Sequence, residues 1–271
     1  MLLLGLAVIV VLFTGLWFVS VRREDASIAD IAWGPGILVL ALVYYFTGNG
    51  APLRGRLMLA LVAIWAIRLA VHVGFRNRLQ GEDFRYEMLR AGRAETWWWF
   101  SYFRIFLLHA LVAWVVSIPI YFATVSVAPA ALNIVDYLGI LIFAAGLAFE
   151  AVGDEQLRRF RADPKNVKLV LETGLWAHTR HPNYFGEALV WWGFGLIGAA
   201  TGGAVGLIIP TFITYYLVYI SGPLLERSLL RNRKAYTSYV ATIPAFLPVH
   251  LNRLRVTGGK PQAASAKLRG R

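Results

Sequence analysis

The chain of 271 residues is 58% hydrophobic and only 15% charged, has a formal net charge of +12 and contains no cysteine. Soluble domains average about 45–50% apolar and about 25% charged residues, so this composition excludes an ordinary water-soluble domain and specifies a membrane protein. The lack of cysteine excludes a disulfide framework, thiolate chemistry and the usual zinc signatures.

Seven apolar stretches approach the roughly 20 residues that cross a hydrocarbon core about 30 Å thick. In chain order they lie near 1–20, 28–47, 57–75, 100–123, 134–152, 184–200 and 204–222. The first has no basic n-region and no small-residue cleavage site after it, so it reads as a retained helix rather than a signal peptide. The last two are joined only by Ala200-Thr-Gly-Gly203, which predicts a tight helical hairpin. With no internal repeat and no long soluble linker, residues 1–256 read as one all-α polytopic membrane domain. Residues 257–271 are small, polar and basic, the composition of a disordered tail.

Of the 27 Lys and Arg, 23 fall in the loops after spans one, three and five and in the C-terminal segment, while the alternate loops hold only Arg54 and Arg56. The positive-inside rule then puts the N-terminus outside and the C-terminus in the cytoplasm. Topology and attraction to anionic lipid account for the high charge, so nucleic acid is not called for. Nothing in the sequence specifies an oligomer.

Ionisable residues inside spans are costly and mark candidate sites. They are Asp30 in span two, Arg68 and His72 in span three, Arg104 and His109 in span four, and Glu150 and Glu187 at span ends. Arg68 and His72, four apart, share a helix face. One reading pairs Arg68 with Asp30 to neutralise two buried charges; the other makes the group functional.

Beyond span five, Glu150, Asp154, Arg158 and Arg161 fall on one stripe if the helix continues. Carboxylates near the membrane and guanidinium groups farther out suit the amide or ribose and the phosphates of a cofactor. The competing reading is a salt-bridged helix extension. Next comes Gly174-Leu-Trp-Ala-His178-Thr-Arg180-His181-Pro182-Asn183-Tyr184-Phe-Gly-Glu187. Pro182 suits a first helical turn, and Arg180 with two histidines beside a helix N-terminus makes an anion site. The His178 and His181 spacing argues against a metal. Gly193, Gly195 and Gly198 spell a dinucleotide fingerprint, but they lie inside span six with no strand before them and read as helix-packing residues. After span seven, Glu226, Arg227, Tyr236 and Tyr239 either close a cofactor pocket or form an interfacial anchor.

GLWAHTRHPNYFGE, then WWG, SGPLLE, RNRKAY and IPAFLP, together with Asp30-Ile-Ala-Trp-Gly34 and Gly81-Glu-Asp-Phe-Arg-Tyr86, resemble the steroid 5α-reductase family, in particular its bacterial branch of uncharacterised membrane proteins. The resemblance implies a seven-helix reductase of the bacterial inner membrane. It implies NADPH bound from the cytoplasmic side by the C-terminal half, about 134–250, and hydride passed to an activated C=C bond of a lipid within the bilayer. By motif position Glu150, Asp154, Arg158, Arg161, Asn183 and Glu187 match cofactor-contacting positions, with Glu150 where eukaryotic members carry Asn. Arg180, His181, Tyr184, Glu226, Arg227 and Tyr236 complete the expected cofactor set. The family's span-three Tyr is Trp65 here, a departure that argues against a steroid enone as substrate.

Hydride transfer to a conjugated bond builds negative charge on the carbonyl oxygen, which a positioned donor must meet. Asp30 is the expected acid, supported by Arg68 or His72, with Tyr86 as the alternative at the cytoplasmic edge. Two other readings stay open. One is an S-adenosylmethionine-dependent methyltransferase of the isoprenylcysteine or phospholipid type, which shares the R-H-P-x-Y helix start and the late Glu. The other is a non-enzymatic lipid-binding protein.

Overall fold

The computed structural model describes residues 1–50, 52–167, 169–233 and 235–248; the tail expected at 257–271 lies outside the described residues. Long apolar runs become helices because a backbone in hydrocarbon must satisfy its N–H and C=O groups within the segment. In chain order these are α1 (Leu2–Arg23), α2 (Ile28–Thr47), α3 (Pro52–Gln80), the short α4 (Phe84–Arg90), α5 (Trp97–Val116), α6 (Ile118–Val125), α7 (Ile134–Ala162), α8 (Pro182–Ala199), α9 (Ala204–Asn232) and α10 (Tyr236–Thr242). Two of them loosen into π-helical turns, Tyr102–Leu107 in α5 and Leu217–Ser221 in α9.

Among the described residues six helices are long and apolar enough to cross a membrane: α1, α2, α3, α5, α7 and α9. The stretch expected as a further span forms α8, which is not among the six because its first two turns carry Asn183, Tyr184 and Glu187. The expected boundaries were short at the three longest helices. Apolar periodicity does not register a helix that continues past the bilayer, so α3, α7 and α9 each run to 29 residues. The span expected at 100–123 divides at Ser117, where Pro119 opens α6. Outward-facing apolar side chains such as Leu3, Phe46 and Leu141 stay exposed, as lipid contact requires.

The chain forms two compact units. One comprises Met1–Leu147 and Glu187–Tyr215; the other comprises Ala148–Gly186 and the chain from Tyr216 onward. The first has a continuous core in which Phe13, Ile37, Leu40, Met58, Trp65, Phe106, Trp191 and Phe194 are all but fully buried. Helices approach closely where side chains vanish. A Cβ on Gly34 of α2 would stand 3.0 Å from the Ala66 backbone of α3. The apparent fingerprint glycines do the same against three different neighbours. A Cβ on Gly193 would meet Phe143 at 2.6 Å, one on Gly195 would meet Pro210 at 2.6 Å, and one on Gly198 would meet the Pro119 carbonyl at 2.7 Å.

The same unit holds a fully buried ion pair. Arg54, expected in an outer loop, lies in the first turn of α3 and donates from Nε and Nη2 to the two Asp136 oxygens, both at 2.9 Å. Its remaining donors reach the Pro129 carbonyl at 2.5 Å and the Ala131 carbonyl at 2.8 Å. Asp136 also accepts from the Asn133 N–H, and Asn133 reaches the Ala200 carbonyl at 3.0 Å. One guanidinium thus ties the start of α3, the loop before α7, the start of α7 and, through Asn133, the end of α8. Removing one partner leaves an uncompensated buried charge, so Asp136→Ala is expected to cost about 3–5 kcal/mol and to lower the melting temperature in detergent sharply. The apolar pair Arg54→Met with Asp136→Leu is expected to recover much of that loss; a double variant as weak as the single one would contradict this account.

Candidate functional site

The turn between α1 and α2 is laced to the segment preceding α4. The Ala26 N–H donates to Glu82 Oε1 at 2.7 Å, and the Asp83 N–H donates to the buried Ser27 Oγ at 2.8 Å. Asp83 then caps α4 by accepting from the Arg85 N–H at 3.0 Å. These bonds deliver Arg85 and Tyr86 to the first turn of α2, where Asp30 sits.

Three groups converge on that carboxylate. Tyr86 Oη donates to Asp30 Oδ1 at 2.6 Å, Arg85 Nη2 donates to Oδ2 at 2.7 Å, and His109 Nε2 lies 3.5 Å from Oδ1. His109 is held through Nδ1, 2.7 Å from the Ile105 carbonyl, and packs on the Phe13 and Trp33 rings. It follows the π turn of α5, whose extra residue resets the direction in which later side chains point. Burial, and then the charge of Asp30, push the Tyr86 phenol far above its ordinary range, so it is a neutral hydroxyl at any physiological pH. Burial alone would raise the Asp83 carboxyl, but the Arg85 hydrogen bonds outweigh it and hold it low, while the same bonds raise Arg85.

The second unit contains a comparable group at the start of α8. Arg180 donates from Nε and Nη2 to the Glu226 oxygens at 2.8 and 3.2 Å. Its Nη1 donates to the Val240 and Ile243 carbonyls, and its backbone N–H to the Pro244 carbonyl at 3.0 Å. His181 Nε2 lies 2.7 Å from Glu226 Oε1, and its ring stacks on Tyr184. Tyr184 Oη accepts from Ser221 Oγ at 3.2 Å, the last residue of the π turn in α9. Tyr239 Oη donates to the Trp176 carbonyl at 2.6 Å, and Asn183 Nδ2 donates to Asp154 Oδ1 at 3.3 Å.

A family model described as "Protein of unknown function (DUF1295)" matches residues 16–243. The chain belongs to this family. An uncharacterised protein of Schizosaccharomyces pombe (strain 972 / ATCC 24843), C594.04c, is 28% identical to this DUF1295 chain over 221 residues, covering 72% of the chain and 64% of its own length. The chain thus spans a little less than two thirds of that relative. No solved structure matches it.

In this DUF1295 protein the expected acids Asp30 and Tyr86 are in direct contact, but their partners Arg85 and His109 are not the Arg68 and His72 that span position alone suggested. Arg68 and His72 lie half-buried, four apart on α3. Arg85 was missed because it is a loop residue in sequence; the signal was Asp83, whose capping side chain points it back. Trp65, at the position of the expected tyrosine, is fully buried against Trp191 and Phe194, and its indole N–H has no hydrogen-bond partner among the described residues.

The stripe on α7 divides. Glu150 and Asp154 are buried, while Arg158 is exposed and paired with Glu155 at 2.6 Å, and Arg161 is exposed. Arg180 bonds Glu226 and two backbone carbonyls, so its guanidinium fastens the C-terminal segment to the start of α8. Glu226 and His181 belong to that clamp. Arg227 is exposed, Tyr236 is buried, and Glu187 accepts from Trp191 Nε1 at 2.9 Å.

Burial, followed by the charge of Glu226, pushes the Tyr236 phenol from 10.0 up to about 12. A raised folded-state value means that the stability it contributes is complete below the unfolded value and is lost as pH climbs through the folded one. Stability is therefore expected to fall between pH 10 and about 12, and Tyr236→Phe to flatten that fall, as read by thermal unfolding across alkaline buffers. An unchanged profile would show that Tyr236 does not carry the effect.

Proposed function

We propose that this protein is a membrane-embedded, NADPH-dependent reductase that delivers hydride to an activated C=C bond of a lipid. The observation that carries the reading is the Tyr86–Asp30–Arg85 group, a neutral phenol hydrogen-bonded at 2.6 Å to a carboxylate that a guanidinium holds in place. Such a group meets the negative charge that builds on a carbonyl oxygen when the conjugated double bond is reduced. Tyr86 is the proton donor in this reading, Asp30 orients its hydroxyl, and Arg85 keeps Asp30 fixed. The resemblance of the C-terminal motifs to steroid 5α-reductases supports the same chemistry. Trp65 in place of that family's tyrosine supports a substrate other than a steroid enone.

The polar side chains of the second unit support a dinucleotide as the cofactor in this reading. Arg158, Arg159 and Arg161 stand exposed near the end of α7, and Arg159 lines an open surface depression with Gln156, Phe160, Asp163 and Thr173 among others. Arg158 and Arg161 would hold phosphates; Asp154, Asn183 and Tyr184 would hold ribose or amide groups. When bound, NADPH supplies the hydride. We place the N-terminus outside, seven spans including α8, and the cofactor-binding residues facing the cytoplasm of a bacterial inner membrane.

In purified protein, NADPH is expected to raise the melting temperature and S-adenosylmethionine to leave it unchanged; the opposite pattern would turn the reading to a methyltransferase, and no response to either to a lipid-binding protein. Arg158→Ala with Arg161→Ala is expected to weaken NADPH binding without loss of folding. Tyr86→Phe is expected to lower turnover of an enone lipid by roughly 10²–10⁴-fold while NADPH still binds.

A further inference from the structure

We infer that His109 is a positioning residue that shares one proton with Asp30 and thereby sets the direction in which Tyr86 points its hydroxyl; as a role in catalysis this rests on the reductase reading. The Ile105 carbonyl can only accept a hydrogen bond, so its 2.7 Å approach assigns a proton to His109 Nδ1. The other nitrogen, Nε2, then faces Asp30 Oδ1 at 3.5 Å. That separation is an ion-pair contact, longer than a hydrogen bond; a bare Nε2 lone pair beside an ionised carboxylate is repulsive, and the repulsion is removed when one of the two groups carries a proton. The anchoring of His109 against Phe13 and Trp33 keeps the ring from turning away.

Oδ1 is also the oxygen that Tyr86 bonds. With the shared proton on Nε2, Asp30 is an acceptor and the Tyr86 hydroxyl points at it, as the structure has it. With the proton on Oδ1, Asp30 becomes the donor to Tyr86 Oη, and the phenol is released to point its own hydrogen at an incoming carbonyl. Moving one proton between His109 and Asp30, through a bridging water or a closer approach of the two side chains, therefore turns the hydroxyl around, while Arg85 on Oδ2 keeps the carboxyl in place.

The step balances. NADPH, when bound, would supply the hydride for the carbon–carbon double bond, and the displaced electron pair would stand on the carbonyl oxygen. Tyr86 gives its proton there, the phenolate takes the proton from Asp30, and His109 is left neutral. Water replaces the spent proton past Arg85, whose side chain is half exposed.

The protein alone provides a test. NMR of the His109 ring nitrogens and the Asp30 carboxyl carbon in lipid nanodiscs is expected to count one proton between Nε2 and Oδ1, with Nδ1 protonated. In Asp30→Asn, Nε2 is expected to lose it. A neutral ring facing an ionised Asp30, in either tautomer, would overturn the inference. In turnover, His109→Gln is expected to lower kcat about 10–100-fold with KM and NADPH affinity little changed, and His109→Ala to regain activity with added imidazole. Full kcat in His109→Gln would also overturn it. If the shared proton is present and no enone lipid is reduced by the wild-type protein, the reductase reading fails and the proton inventory stands.

Discussion

A charge that enters hydrocarbon must bring its partner with it, and this constraint orders the rest of the molecule. Arg54 meets Asp136 with neither side chain exposed, Asp30 meets Arg85, and Arg180 meets Glu226. None of these pairs is a contact between neighbours on one helix. Each joins segments far apart in the chain, and each guanidinium spends its surplus donors on carbonyls or on a second carboxylate. The helices form from their own composition, but their ends are positioned by these few polar bonds.

Between the polar clusters the packing is set by what is missing. Gly34, Gly193, Gly195 and Gly198 leave gaps that backbones and rings of neighbouring helices fill. Two π turns then adjust the aim of side chains, one before His109 and one ending at Ser221, which bonds Tyr184. Each lies next to a group built from a carboxylate, a histidine, an arginine and a tyrosine. Regular α-helix elsewhere supplies rigidity, and the irregular turns occur where direction matters.

Much of this was legible in the sequence, and the failures have physical causes. Apolar runs located the six helices long and apolar enough to cross a membrane, the turn at 200–203, and the packing role of the glycines, because those depend on local composition. Asp30 stood out because charge is rare inside such runs, and Tyr86 because it ends the Gly81–Tyr86 stretch that carries part of the family resemblance. Arg54 was misplaced because a positive residue near a span end reads as a loop residue unless its partner is seen, and Asp136 hides in the first turn of an apolar helix. That Glu226 of the same chain would meet Arg180 at the start of α8 could not be read from spacing, because the contact spans 46 residues. His109 was visible as an ionisable residue, but nothing in its spacing pointed to Asp30.

The Arg54–Asp136 bond also bears on how the protein is made. Its partners are 82 residues apart, so Arg54 leaves the ribosome well before the carboxylate that will neutralise it exists. Until α7 is synthesised, the first turn of α3 has no buried place to go, and its guanidinium belongs at the headgroup surface with its stem in the apolar layer. The first three helices therefore enter the bilayer as a provisional assembly, and burial of that end is completed only when the later half of the chain arrives.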